Sequence, residues 1–180
     1  GSVRVLVTGA SGMLGRAVAT QLRDEGHEVT TMQRGASGID GVTDALGSIT
    51  DGAAVARAVA GAEGVVHLAA KVSLSGQEAE FEAVNVAGTK RLLAEARDAG
   101  VTRFVMVSSP SVAHFGAAIH GASADPASPE LAHGSYARTK AKAELLALAA
   151  DAPGFAVVAV RPHLVWGPGD TQLIARILDR

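Results

Sequence analysis

Tyr136 and Lys140 stand four residues apart, an offset that places both on one face of a helix. An ammonium beside a phenol favours the phenolate and lowers its pKa, so the tyrosine becomes a usable proton donor and acceptor near neutral pH. Chance is a weak rival for the pair, because Tyr136 is the only tyrosine of the 180-residue chain. A second signal is Thr8-Gly9-Ala10-Ser11-Gly12-Met13-Leu14-Gly15, with glycine at every third position. Between a strand and a helix, such a run allows a tight turn, close backbone approach to a pyrophosphate and close packing of helix on sheet. The helix N-terminus adds free N–H groups and a partial positive charge. The spacing is one residue longer than the usual dinucleotide fingerprint, and glycine turns also occur for packing alone. Gly9, Ser11, Gly12, Met13, Leu14 and Gly15 form the candidate phosphate-binding set.

At the end of the second strand an acidic residue would accept hydrogen bonds from an adenosine ribose and repel a 2′-phosphate. The chain has Gln33-Arg34 there, which favours NADP over NAD; the plain alternative for Arg34 is a solvated surface arginine. Ser108-Ser109 directly follow an apolar run, at the carboxyl edge where open α/β sheets bind ligands. A serine pair capping a turn before Pro110 is the alternative.

These residues need a scaffold, and the hydrophobic pattern supplies one. Val3 to Val7 predicts a strand, and Leu14, Val18 and Leu22 at i, i+4, i+8 predict a helix that Gly26 ends. Glu28 to Met32 completes a βαβ unit. The alternation continues with a helix near Ala53 to Ala60, a strand at Val65 to Leu68, a long helix from about Phe81 to Ala99 ended by Gly100, and a strand at Phe104 to Val107. Tyr136 to Ala149 reads as helix and Ala156 to Val160 as strand. Apolar strands separated by helices predict a doubly wound α/β fold with a parallel sheet covered on both faces, one dinucleotide-binding domain over residues 3–180. Gly1-Ser2 reads as the remnant of a removed tag. Gly116 to Pro129 has no periodic pattern and reads as a mobile loop. Thr171 to Arg180 puts Leu173, Ile174, Ile177 and Leu178 on one helical face with nothing after it to pack against. The expectation is a missing C-terminal region, or docking of that face onto the existing core.

Composition narrows the function classes. A formal net charge of -2 without a run of Lys or Arg argues against a nucleic-acid or anionic-membrane partner. No apolar stretch approaches the roughly 20 residues of a bilayer span. With no cysteine and no signal-like segment, the expectation is a soluble, cytoplasmic protein. His27, His114, His120 and His133 lack metal-ligand spacing and read as surface or loop residues, so no metal is expected.

Six stretches together resemble the extended short-chain dehydrogenase/reductase family: TGASGMLG at 8 to 15, HLAA at 67 to 70, NVAGT at 85 to 89, VSSPSV at 107 to 112, YARTK at 136 to 140 and RPHLVWGPGD at 161 to 170. Within that family the SSPSVAH and RPHLVWGPGDTQL stretches look most like the 3β-hydroxysteroid dehydrogenase branch, nearest to the bacterial 2-alkyl-3-oxoalkanoate reductases. The resemblance implies that Tyr136 is the catalytic acid/base and that Lys140 holds the nicotinamide ribose and tunes Tyr136. Ser109, in preference to Ser108, would hydrogen-bond the reacting oxygen. Asn85 matches an Asn that anchors the central helix or helps relay a proton. Leu68, Ala69 and Ala70 match cofactor-lining positions, and Pro162 and His163 fall where the family lines the nicotinamide pocket; a packed strand-end residue is the alternative for His163. Many members place an Asp near position 48 against the adenine, where this chain has Gly47-Ser48-Ile49, so Ser48 and Ile49 occupy that place.

The function implied is interconversion of a secondary alcohol and a ketone on a largely apolar small molecule, with NADP, or alternatively NAD. Two other readings stay open: a nucleotide-sugar epimerase or dehydratase, against which Leu164 stands where those enzymes often carry Asn, and a non-catalytic NAD(P)-binding redox sensor, which commonly lacks the Tyr-Lys pair. The resemblance also implies a homodimer through the helices bearing Asn85 and Tyr136, and a substrate-binding region beyond Arg180.

Overall fold

The computed structural model describes residues 2–68, 78–108, 134–161 and 168–179. Six strands form one sheet: β1 (Arg4–Thr8), β2 (Glu28–Gln33), β3 (Thr43–Leu46), β4 (Gly64–His67), β5 (Arg103–Val107) and β6 (Ala156–Val160). Their order is β3-β2-β1-β4-β5-β6, and every pairing is parallel. The order reverses between β1 and β4, which puts the ligand crevice of a doubly wound sheet outside the carboxyl ends of those two strands.

The helices are α1 (Met13–Asp24), α2 (Gly52–Val59), α3 (Glu78–Phe81), α4 (Gly88–Asp98), α5 (Gly134–Ala149) and α6 (Pro168–Asp179). Gly26 and Gly100 end α1 and α4 at φ values of 92° and 87°. In each case the glycine N–H and the next N–H return to carbonyls of the last helical turn, as in Gly26 to Arg23 and His27 to Leu22.

Because strand side chains alternate, the sheet builds a core on each face. Leu6, Val65, Phe104, Met106 and Val157 meet α2, α4 and α5 residues such as Val55, Leu92 and Ala143. Val5, Val7, Val66, Val105 and Val160 meet Val18 and Leu22 of α1 and Ile174 of α6. Each fully buried aliphatic side chain contributes roughly 1.5–3 kcal/mol against exposure.

Three features depart from the sequence pattern. Strand β3 escapes it because it is a four-residue edge strand with little burial, added by pairing Thr30 to Gln33 with Thr43 to Leu46. The long helix around Phe81 to Ala99 contains a π-helical segment, Glu82–Ala87, between α3 and α4. The last helix begins at Pro168, earlier than Thr171, and its apolar face takes the second of the two expected courses, docking onto the existing core. Ile174, Ala175 and Leu178 are buried beside α1 and the sheet, while Leu173 stays 42% exposed.

His27 is likewise not a surface residue. It is buried, its Nδ1 accepts from the Val3 N–H at 3.0 Å, and its Nε2 faces Asp179 at 3.2 Å, so it ties the start of β1 to the end of α6. His114, His120 and His133, and the Gly116 to Pro129 stretch, lie outside the described residues.

Candidate active site

The glycine turn begins where β1 stops. Gly9 has φ 75°, a conformation in which a side chain would be strained, and its N–H reaches the Met32 carbonyl at 3.3 Å, joining the turn to the end of β2. Gly12 caps α1 with no side chain over the helix end and no acidic residue in the first turn. Ser11 and Gly12 are exposed, and Met13 is 84% exposed. Leu14 is half-buried. Gly15 is buried, and a β-carbon there would overlap the Gly9 carbonyl, so α1 sits closer to the turn than any other residue type permits. The result is an open helix N-terminus with free N–H groups and a positive dipole end, a cradle that fits a pyrophosphate.

Behind the turn lies a buried polar link. Thr8 Oγ1 accepts from the Leu68 N–H at 3.0 Å and lies 2.7 Å from His67 Nδ1, while His67 Nε2 lies 2.8 Å from Thr89 Oγ1. This joins the carboxyl ends of β1 and β4 to α4. Burial, and then the charge of Lys140, pushes the His67 pKa down to about 3, so the ring is neutral at physiological pH.

Arg34 follows β2 and is exposed. A carboxylate that the carboxyl end of β2 lacks comes from β3. Asp44 Oδ1 accepts from Thr31 Oγ1 at 2.9 Å, the Ser37 N–H at 3.3 Å and Gln33 Nε2 at 3.4 Å. The Ser37 hydroxyl, then that of Thr31, and to a lesser degree the Ser37 N–H and Gln33 hold its pKa below the usual carboxylate value, and these contacts fasten the segment after Arg34 to the sheet edge. Ser48 is half-buried and bonded to Thr50, while Ile49 is buried in the core, close enough to Gly88 that a β-carbon there would come within 2.9 Å.

On the other side of the crevice stands α5. Ala137, Ala141, Ala143 and Ala147 are buried and let the helix lie close to the sheet, and Thr139, Lys140 and Glu144 are buried with them. Lys140 is 2% exposed, one turn after Tyr136. Burial pulls its pKa down to about 8, against the pull of Glu144, whose negative charge raises it. Lys140 therefore carries its proton at neutral pH but holds it less firmly than a surface lysine. Asn85, buried in the π-helical segment, donates from Nδ2 to Thr139 Oγ1 at 3.0 Å. Single-turn π segments inside helices recur at functional sites.

The structure thus brings Asn85, Thr139 and Lys140 together and sets the glycine turn at the carboxyl ends of the strands. The side chain of Tyr136, and residues Ala69, Ala70, Ser109, Pro162, His163 and Leu164, lie outside the described part. Ser108 is described: its hydroxyl donates to Glu144 Oε2 at 2.8 Å, which commits it to the interior. The residues the sequence did not single out are Thr8, Thr89, Glu144, Arg161 and Asp44. The one available signal was the i, i+4 spacing of Lys140 and Glu144 in an alanine-rich helix. A depression of about 390 Å³, lined in part by Arg4, Glu28, Thr43 and Gly61, opens at the amino ends of β1 to β3, away from this constellation. Among the described residues no group of histidine and carboxylate side chains could hold a metal, and no helix is long and apolar enough to cross a membrane.

Known proteins are similar to this chain in sequence and fold. Residues 5–180 match the NAD dependent epimerase/dehydratase family. A 2-alkyl-3-oxoalkanoate reductase of Stenotrophomonas maltophilia is 38% identical over 187 residues, an alignment covering 99% of this chain and 56% of the relative. A 3-beta-hydroxysteroid dehydrogenase of Mycolicibacterium neoaurum is 36% identical over 188 residues, covering 98% and 51%. A solved short-chain dehydrogenase/reductase superfamily protein of Agrobacterium tumefaciens with bound NAD superposes with a TM-score of 0.73 at 34% identity, over 88% of this chain and 48% of that one. The chain spans about half the length of the curated relatives it matches. On the strength of the match over residues 5–180 and of the open glycine turn on a 3-2-1-4-5-6 parallel sheet, the chain belongs to the NAD dependent epimerase/dehydratase family.

Proposed function

We propose that residues 3–180 form the cofactor-binding and catalytic unit of an NADP-preferring oxidoreductase that interconverts a secondary alcohol and a ketone on a largely apolar substrate. The observation that carries the reading is the burial of a lysine, Lys140, one helical turn after Tyr136. A cation kept out of water acts strongly on its neighbours. Its work here is to stabilise the Tyr136 phenolate and to hold the nicotinamide ribose.

When bound, the nicotinamide supplies the hydride to the carbonyl carbon, or takes it back in the other direction. Tyr136 gives the proton to the carbonyl oxygen or removes it from the alcohol, and Ser109 donates a hydrogen bond to that oxygen. The glycine turn holds the pyrophosphate, with Leu68, Ala69, Ala70, Pro162 and His163 lining the rest of the cofactor site. Asn85 keeps α5 in place through Thr139.

Support for NADP comes from Arg34. It stands two residues beyond Met32, whose carbonyl the glycine turn grips, and no carboxylate follows β2 directly. The relatives named for 3-oxoalkanoate and 3β-hydroxysteroid chemistry support an apolar substrate. The family resemblance supports a homodimer through the helices bearing Asn85 and Tyr136.

Calorimetric titration with NADPH and separately with NADH tests the reading, followed by turnover of long-chain 3-oxo and steroid substrates. Tighter NADPH binding is expected, together with a roughly 10²- to 10⁴-fold lower kcat for Tyr136→Phe, the usual worth of general acid/base catalysis. Binding of neither cofactor, or near-normal turnover by Tyr136→Phe, would overturn it. Tightly held NAD after purification would instead favour the epimerase reading.

A further inference from the structure

We infer that Glu144 is a positioning residue of this site, whose carboxylate fastens the ends of β5 and β6 to the helix that carries Tyr136 and Lys140. The inference rests on the functional reading above.

The geometry is specific. Glu144 is 2% exposed, and three donors from two strand ends reach its two oxygens. Ser108 Oγ donates to Oε2 at 2.8 Å, and Arg161 donates to Oε1 from Nη2 at 2.8 Å and from Nε at 3.2 Å. Ser108 immediately precedes Ser109, and Arg161 immediately precedes Pro162 and His163. The Ser108 N–H also donates to the Val160 carbonyl at 2.9 Å, so the two strand ends are fixed to each other as well as to α5.

Stability alone does not call for such a device. Taking an ion pair out of water is costly, and apolar residues of the same volume hold a core together as well or better. A carboxylate with fixed donors adds register, because it sets where three segments stand relative to one another. The segments set here are the three that carry Ser109, the Pro162-His163 pair and the Tyr136-Lys140 pair.

Charge is the second link. Glu144 lies one turn after Lys140, and its negative charge offsets part of the burial that strips Lys140 of its proton. Among the described residues, the charged or titratable groups facing Glu144 and Lys140 are Arg161 at the end of β6 and His67 at the end of β4, which senses the Lys140 charge.

The experiment compares the unmutated protein with Glu144→Gln, Ser108→Ala and Tyr136→Phe. It reads kcat and KM against pH, the Kd for NADPH, and the Lys140 pKa by NMR of 13C-labelled lysine in the cofactor-free protein. Glu144→Gln keeps the side-chain shape and removes the charge. Its expected outcome is a kcat lower by up to about 100-fold, little change in KM, and a Lys140 pKa lower by about one unit. Ser108→Ala removes one donor without stranding a charge and decides the question if Glu144→Gln does not fold; it should lower kcat several-fold with NADPH binding retained. Unchanged kcat in both variants, or an unchanged Lys140 pKa in a folded Glu144→Gln protein, would overturn the inference. Tyr136→Phe separates the two levels, because near-normal turnover in that variant sinks the functional reading whatever Glu144 does.

Discussion

Asn85 Nδ2 donates to Thr139 Oγ1 at 3.0 Å across 54 residues of sequence, and both side chains are buried. The bond joins the π-helical segment to α5 immediately beside Lys140. Asn85→Ala deletes a buried donor, and the expected loss of stability is about 1–3 kcal/mol. Urea denaturation of the two proteins checks it. A variant as stable as the parent would show that Asn85 is not the anchor of this helix.

Gly15 has no room for a β-carbon beneath the Gly9 carbonyl. Gly15→Ala must push α1 away from the turn, a strain of about 1–3 kcal/mol. Because the displaced N–H groups are those that would meet the pyrophosphate, NADPH affinity should fall by about tenfold or more, each tenfold being about 1.4 kcal/mol. Calorimetry reads the change, and unaltered affinity would remove the turn from the cofactor site.

Arg34 is exposed where a 2′-phosphate would stand in the proposed site. A hydrogen bond between charged partners contributes about 1.5–3 kcal/mol. Arg34→Ala should therefore weaken NADPH by roughly 10- to 150-fold while leaving NADH within about twofold. Equal losses for both cofactors would mean that Arg34 supports the loop and does not read the phosphate.

His67 gives the chain a pH dependence of known sign. Its folded pKa of about 3 lies below the ordinary 6.5, so below pH 6.5 the unfolded chain takes a proton that the folded protein refuses. The stability this represents is fully present above pH 6.5 and is lost as the pH falls from there towards 3, by up to about 1.4 kcal/mol per pH unit. Denaturant titrations at pH 7, 6 and 5 should show the decline. His67→Gln, which cannot titrate, should flatten it, and an identical slope in the variant would locate the proton elsewhere.

Much of this architecture is written locally. The apolar runs at Val65 to Leu68 and Phe104 to Val107, the endings at Gly26 and Gly100, and the i, i+4 offset of Tyr136 and Lys140 depend on spacings of a few residues, which any reader of the chain can measure. The α5 face was harder to read, because its buried stripe mixes alanine with Thr139, Lys140 and Glu144 and so carries little contrast between its sides. Polar residues placed there look like a solvated surface until the partners that neutralise them are known.

What the sequence by itself determined is the alternation of strands and helices, the glycine turn at the end of β1 and the i, i+4 offset of Tyr136 and Lys140, because covalent neighbours impose these. Only the tertiary structure decided that Ser108 serves Glu144 from 36 residues away, that His67 reaches back 59 residues to Thr8, that Asp44 closes the segment after Arg34, and that the last helix lies against α1. Those facts turn on where the sheet brings distant strand ends together, and on the need of every buried polar group for a partner, which no local spacing encodes.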